Sequence, residues 1–174
     1  MDAGDYLCSG EVQRAIPVLQ KAYGDSMHKV LHVGPDTCYV VSKLQKEDET
    51  EAWGIEPYDI EDADSNCKAQ IRRGNVRVAD IKFPLPYRPK SFSLVIVSDT
   101  LDYLSPRYLN KTLPDLVRVS ADGLVIFTGK CILWNFDSHL SKLYFSVQRD
   151  FLNMKLALSL LRLQLTTPSG ERRL

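Results

Sequence analysis

Two short apolar runs, each closing on an acidic residue, constrain this chain more than any other feature. They lie in VRVADIKFPLPYRPKSFSLVIVSDTLDYL, from Val76 to Leu104. The first is Val76-Arg77-Val78-Ala79 and stops at Asp80. The second is Phe92 to Val97, almost wholly apolar, and stops at Ser98-Asp99. A continuous apolar run suits a strand buried on both faces, the habit of parallel sheets covered by helices. Ligands of open parallel sheets sit beyond the carboxyl ends of the strands. Asp80, with Ile81 beside it, and Asp99 therefore fall where a ligand would be gripped.

The same arrangement begins upstream. Lys29 to Val33 reads as a strand running into Gly34-Pro35-Asp36-Thr37-Cys38, and a helical pattern (Val40, Val41, Leu44) follows. Ala52 to Ile55 is the next strand; it ends at Glu56, 22 residues after Gly34. A turn after the first strand and an acid at the end of the second, about 20 residues on, is how nucleoside-binding folds hold a ribose diol. A carboxylate accepts both hydroxyl hydrogens, which a cation cannot do. Gly34, Pro35, Asp36, Thr37 and Glu56 are thus the candidate ligand contacts. Tyr58 is placed either to stack on a base or to sit half-buried.

Order and spacing together resemble the class I S-adenosylmethionine-dependent methyltransferases. The phrases EVQRAIPVLQKAYGDSMHKVLHVGPDTC, EAWGIEPYDIEDAD and VRVADIKFPLPYRPKSFSLVIVSDTLDYLSPRYLNKTLPDL are similar to the plant Cotton Golgi-related family, associated with methyl-esterification of homogalacturonan pectin. The resemblance runs from about Gly4 to Gly129 and stops there. It implies a Rossmann-like α/β methyltransferase sandwich and S-adenosyl-L-methionine as cofactor. It also implies an acidic polysaccharide (homogalacturonan) as substrate, with other Golgi methyltransferases as further partners. Glu56 would take the ribose hydroxyls and Asp80, with Ile81, the adenine. The methionine end would lie on Gly34 to Thr37. Asp99, the one position assigned a catalytic role, would offer a carboxylate to the methionine ammonium. Arg88, Lys90 and Arg107, with Lys82 and Lys111, would guide the anionic polymer, although ordinary solvated surface is the plain reading of each.

One departure from the family-wide pattern matters. That pattern has an acid before the turn and two or three glycines in it; here His32, Asp36 and Cys38 stand at those places and only Gly34 remains. Asp tolerates the left-handed conformation such a turn requires better than most residues. His32, in an apolar strand, reads as a satisfied core histidine. Each acid has a plain alternative too: Glu56 as a solvated strand end, Asp80 as a turn cap, Asp99 as the cap of a helix bearing Leu101 and Leu104. Tyr103 and Tyr108 read as packing residues.

The rest of the chain fits alternating helices and strands. Ser9 is expected to cap a helix through Tyr23 that buries Val12, Ile16, Leu19 and Tyr23, with a kink or break at Pro17. The acidic run Asp59 to Asp64 precedes a helical stretch ended by Gly74. Pro106 to Val119 reads as a helix, Asp122-Gly123 as a turn, and Leu124 to Phe127 as a fifth strand. Right-handed crossovers then give the strand order 3-2-1-4-5. The expected division is a helical segment over 1–27, a methyltransferase core over 28–129 and a divergent tail over 130–174. In that tail Phe151 to Leu165 is read as helix, and the closing strands of the sheet are expected to be missing or altered.

Composition excludes several classes. Net charge is zero, so nothing global argues for nucleic acid. The charge is uneven, with seven Lys/Arg against three Asp/Glu from Lys130 onward and 15 against 19 before it. Cys8, Cys38, Cys67 and Cys131 are far apart with no C-x-x-C, so neither a metal site nor a disulfide scaffold is expected, and buried apolar roles are. A G-x-G-x-x-G for nicotinamide and a G-x-S-x-G for an esterase are both absent. No run approaches a membrane span, and the opening residues are no signal peptide. The family implies a Golgi location behind an N-terminal anchor, so a soluble or truncated form is expected here. The sequon Asn110-Lys111-Thr112 would suit a lumenal protein. A non-catalytic methyltransferase-fold partner, or an inactive truncated isoform, is the alternative to an enzyme.

Overall fold

The computed structural model describes residues 8–47, 49–127 and 145–146. Five parallel strands carry the fold: β1 (Lys29–Val33), β2 (Glu51–Glu56), β3 (Val76–Val78), β4 (Phe92–Ser98) and β5 (Ser120–Phe127). A two-residue strand, β6 (Phe145–Ser146), runs antiparallel to β5 and pairs with Ile126 and Val125. The sheet order is β3-β2-β1-β4-β5-β6, so the expected 3-2-1-4-5 arrangement is present. The outer edge of β5 is covered at Val125 and Ile126 rather than left bare.

Among the described residues, four α-helices flank the sheet: α1 (Cys8–Tyr23), α2 (Thr37–Leu44), α3 (Ser65–Arg72) and α4 (Pro106–Val119). The first three lie on one face. There Val12, Ile16 and Leu19 of α1 and Val40, Val41 and Leu44 of α2 bury against Val30, Leu94, Ile96 and Val125. On the other face Leu109, Leu113, Leu116 and Val119 of α4 meet Leu31, Val33, Ile55, Val95, Val97, Leu124 and Ile126. Every residue of β4 is buried, as its apolar run demands. Each fully buried aliphatic side chain contributes about 1.5–3 kcal/mol, so the two-faced core is the main source of cohesion.

No helix crosses from β3 to β4. The proline-rich loop 79–91 does that work, placing Ile81 and Leu85 in the core of the α4 face. Arg118 holds the loop there: its guanidinium donates to the Tyr87 carbonyl at 2.6 Å, the Leu85 carbonyl at 3.0 Å and Asp115 Oδ1 at 2.7 Å. Asp115 Oδ2 accepts the Leu85 N–H, and the Thr112 hydroxyl donates to the Ile81 carbonyl. A planar fork suits this task, because one cation satisfies two carbonyls that a strand would have paired.

Several local expectations are corrected. The chain from Cys8 to Tyr23 is a single helix despite Pro17, which sits on the exposed side. Ser9 lies inside that helix, where its hydroxyl donates to Asp36 Oδ2 at 3.1 Å instead of capping. Asp122 and Gly123 belong to β5, and Gly123 pairs with Leu94 beside a bulge between Phe92 and Leu94. That bulge puts Phe92 and Leu94 on opposite faces, which regular alternation forbids. Tyr103 and Tyr108 are exposed, at 62% and 37%, rather than packed. The α3 reading holds: Asp64 accepts the Cys67 N–H at 2.7 Å as an N-cap, and Gly74 beyond the helix has φ +77°. The helix read over Phe151 to Leu165 lies outside the described residues.

Candidate functional site: a cleft at the carboxyl ends of β1 and β2

Glu56 closes β2 and is only 4% exposed. Its Oε2 accepts the Thr37 N–H at 3.4 Å and its Oε1 the Tyr58 N–H at 3.3 Å. Both contacts are long, and each oxygen keeps lone-pair capacity for a further donor. Burial pushes the carboxyl up to about 7, only partly offset by these N–H groups. Glu56 lines a cleft of about 490 Å³ whose other walls are Asp36, Cys38 and Tyr39 on one side and Asp59 to Asp64 with Cys67 on the other. Glu56 is therefore no solvated strand-end acid.

The turn that forms the first wall has a specific backbone. Gly34 brings β1 against the end of β4 so closely that an added Cβ would lie 2.6 Å from the Ser98 carbonyl oxygen and closer still to its hydroxyl. The close approach of Ser98 by itself requires glycine at this position. Pro35 is buried and Asp36 is exposed with φ +55°, the left-handed geometry that Asp tolerates. Thr37 is buried and opens α2.

His32 sits behind the turn with no exposure. Its Nδ1 is 2.8 Å from Thr37 Oγ1 and its Nε2 is 3.0 Å from Ser98 Oγ. Burial lowers its pKa to about 3, so the ring is neutral. It is the satisfied core histidine its setting suggested. Ser98 and His32 are a serine–histidine pair, but both are sealed from solvent. The far ring nitrogen faces a hydroxyl, not a carboxylate, so the pair lacks the access and the orienting acid of an acyl-transfer triad.

The two walls are joined in ways the sequence did not reveal. Cys38 and Cys67 are disulfide-bonded, with Cα atoms 5.1 Å apart, across 29 positions of sequence. This corrects the expectation of no disulfide: both cysteines are buried, but as a covalent link between α2 and α3 rather than as separate apolar residues. Tyr39, 49% exposed, donates its hydroxyl to Asp64 Oδ2 at 2.7 Å. That hydrogen bond and the neighbouring carboxylate raise the tyrosine's pKa. The acidic run before α3 was legible; the pairing of Asp64 with α2 was not.

The remaining predicted site residues do not all gather at this cleft. Tyr58 is half-buried beside Glu56. Asp99 follows β4, buried, with φ +56°, and its N–H donates to the Phe127 carbonyl; its side chain does not cap the short turn Thr100–Tyr103. Asp80 is exposed, accepts the Lys82 N–H at 2.9 Å and faces Lys82 Nζ at 3.7 Å. It does not line the Glu56 cleft, and Ile81 turns into the α4 face. Arg107, Lys82 and Lys111 come together along α4. Arg88 and Lys90 stand instead just before Phe92, at the amino end of β4, remote from the carboxyl ends where Glu56 and Asp99 lie. Asn110 is exposed on α4.

No family model matches the chain. Two curated Arabidopsis thaliana proteins do: "Probable pectin methylesterase CGR2" is 77% identical over 126 residues and "Probable pectin methylesterase CGR3" 75% over the same length. Each alignment takes in 72% of this chain. The chain belongs to the Cotton Golgi-related family. This Cotton Golgi-related chain spans about half the length of those relatives, 48% and 49%. Among solved structures, it is similar to the methyltransferase domain of bacterial CtHen1 (14% identity, TM-score 0.53, 69% of this chain and 65% of that one). It is also similar to the [4+2]-cyclase SpnF (19% identity, TM-score 0.50, 66% and 43%). These likenesses show a methyltransferase-type Rossmann-like fold. They also show that one fold carries different chemistries, so function has to be argued from the site.

Proposed function

We propose that this Cotton Golgi-related chain is the cofactor-binding part of an S-adenosylmethionine-dependent carboxyl O-methyltransferase acting on the galacturonate units of homogalacturonan. The observation that carries the reading is Glu56: a buried carboxylate at the carboxyl end of β2, in a cleft of about 490 Å³. The residues present fit a nucleoside. Glu56 has acceptor capacity for a ribose diol, and Ile60, Ala63 and the Tyr39 ring supply flat apolar surface for a base. The acidic rim of Asp36, Asp59, Glu61, Asp62 and Asp64 suits a ligand that carries positive charge.

When bound, S-adenosylmethionine supplies an electrophilic methyl group on a sulfonium. The protein's part is to orient, since a galacturonate carboxylate is ionised at neutral pH and needs no general base. With Glu56 holding the ribose, the bound group would supply its methyl carbon to a galacturonate carboxylate oxygen, the electron pair of the broken carbon–sulfur bond staying on sulfur. A cation and an anion become two neutral groups, so alignment and exclusion of water favour transfer. Hydrolysis of methyl esters, the activity in the printed names of the relatives, would call for a nucleophile within reach of the ester. The sealed Ser98–His32 pair does not offer one. The Cys38–Cys67 disulfide favours an oxidising lumenal setting such as the Golgi.

A second reading, a non-catalytic partner of an active methyltransferase, is favoured by the turn itself. Gly34 is packed on Ser98, and a neutral histidine stands where the family-wide pattern has an acid. Titration of S-adenosylhomocysteine into the purified chain, with methyl transfer to polygalacturonate measured in parallel, separates the two. Binding that weakens about tenfold or more in Glu56→Ala, as loss of a charged hydrogen bond predicts, supports the first reading. Unchanged affinity in that variant removes Glu56 from the site. Transfer identifies an enzyme, and binding without transfer identifies the partner.

A further inference from the structure

A second cleft, of about 600 Å³, lies on the opposite face of the sheet, between the loop after β3 and helix α4. Its charge is opposite to that of the Glu56 cleft. Lys82 lines one wall, and Arg107, Lys111 and Arg118 line the other, against the single carboxylate of Asp115. Asp115 is consumed by Arg118 and by the Leu85 N–H, and Arg118 by the loop carbonyls, so this pair forms a neutral floor. Lys82 is held loosely, 3.7 Å from Asp80 and 5.6 Å from the centre of the Tyr108 ring. Arg107 and Lys111 make no ion pair among the described residues.

The groove therefore presents three available cations. Its walls also carry two exposed aromatic rings, Phe83 at 68% and Tyr108 at 37% exposure. Exposed aromatics in a concave basic site suit a ligand with both negative charge and flat apolar faces. A chain of uronic acid units has one carboxylate per ring and a C–H face on each sugar. Arg107 and Lys111 stand one helical turn apart, about 6 Å along the axis, a spacing on the scale of successive sugar units. Both walls spring from the carboxyl edge of the sheet: Lys82 and Phe83 follow β3, and Arg107 opens α4 just after the turn that follows β4. The acidic rim of the Glu56 cleft repels the same polymer.

We propose that this groove is the acceptor-polymer subsite. It holds unesterified uronate units that flank the one being methylated, with Arg107, Lys111 and Lys82 pairing their carboxylates and Phe83 and Tyr108 against the rings. This assignment rests on the proposed methyltransferase function. It adds a consequence: each methyl ester formed nearby removes a charge the groove reads, so the protein favours stretches of low esterification.

The test uses the full 174-residue chain. Calorimetry measures a size-defined unesterified oligogalacturonate, its fully methyl-esterified counterpart and a single-stranded oligonucleotide of matched charge. S-Adenosylhomocysteine is titrated alongside. The unesterified oligomer should bind, the esterified one should not, and affinity should fall with salt. Arg107→Glu/Lys111→Glu should weaken binding by about tenfold or more, two attractions being replaced by two repulsions. Lys43→Glu/Lys46→Glu, in the last turn of α2 and just beyond it, should leave it unchanged, and melting temperatures establish that each variant folds. Retained affinity in the Arg107/Lys111 variant overturns the proposal, as do equal binding of the esterified oligomer, a loss confined to Arg88→Glu/Lys90→Glu, or tighter oligonucleotide binding at the same residues. S-Adenosylhomocysteine binding with no groove effect refutes the groove alone. A groove effect without S-adenosylhomocysteine binding supports the groove and refutes the methyltransferase reading.

Discussion

The Glu56 carboxylate accepts the backbone N–H of Thr37 at 3.4 Å, joining the end of β2 to the first turn of α2. The bond joins the two parts of the sequence that frame the cleft, and it makes the state of one buried proton relevant to both stability and binding.

Glu56 holds its proton up to about pH 7 in the folded chain, against an ordinary value of 4.5. The folded form therefore binds a proton that the unfolded form releases between these values. Its stabilising effect is full below about pH 4.5 and is lost as pH rises to about 7, in total about 3 kcal/mol. Glu56→Gln should raise the melting temperature at pH 8. A ribose diol prefers the ionised carboxylate, so S-adenosylhomocysteine affinity should rise between pH 6 and pH 8 in the parent chain and stay flat in Glu56→Gln. A flat profile in the parent would detach Glu56 from the ligand.

His32 acts with the opposite sign. Its folded pKa of about 3 lies below the ordinary 6.5, so the unfolded chain takes up a proton first as pH falls. Its contribution is complete above about pH 6.5 and is lost on acidification towards pH 3. Between 4.5 and 6.5 the two residues oppose each other, and stability should vary little with pH. His32→Gln removes one side of the balance, so denaturant melts of that variant should show stability falling with pH across this window. A variant as flat as the parent would contradict the pairing.

Gly34→Ala should destabilise the chain by about 1–3 kcal/mol or more, because the new methyl group meets the Ser98 carbonyl at 2.6 Å. Adding Ser98→Ala removes the hydroxyl but not the carbonyl, so thermal melts should show partial rescue only. Full rescue would mean that the side chain alone fixes the approach.

Reduction of the Cys38–Cys67 bond opens a loop spanning 29 positions, and loop entropy sets the stability at stake at about 3–4 kcal/mol. Dithiothreitol should lower the melting temperature of the parent, and Cys67→Ser should reproduce the reduced value. Because the bond lines the Glu56 cleft, S-adenosylhomocysteine affinity should fall as well. Loss of stability with unchanged affinity would confine the bond to a structural role.

Arg118→Ala should release the loop 79–91 from α4, at a cost of about 2–4 kcal/mol for three charged hydrogen bonds around one partly buried cation. Arg118→Lys should recover little, since an ammonium cannot fork between the two carbonyls. Hydrogen exchange at the Leu85 and Lys90 N–H groups, which donate to Asp115 and to the Arg118 carbonyl, should quicken in both variants.

The order of the strands, the two-faced burial of β4 and the place of Glu56 were all contained in the sequence. Each follows from local patterning: apolar runs set burial, acids mark strand ends, and right-handed crossovers leave few topologies. The burial of His32 as a satisfied core histidine was implied by its apolar neighbours as well. Tertiary structure alone decided which distant residues meet. It joined Cys38 to Cys67, set Gly34 on Ser98 and turned Ser9 toward Asp36. It folded the proline loop under Arg118, gathered Lys82, Arg107 and Lys111, and left Arg88 and Lys90 at the other end of β4. The reason is physical: periodicity records which face of an element is buried, whereas the partner across a helix pair or a sheet end depends on packing between segments that no local pattern encodes.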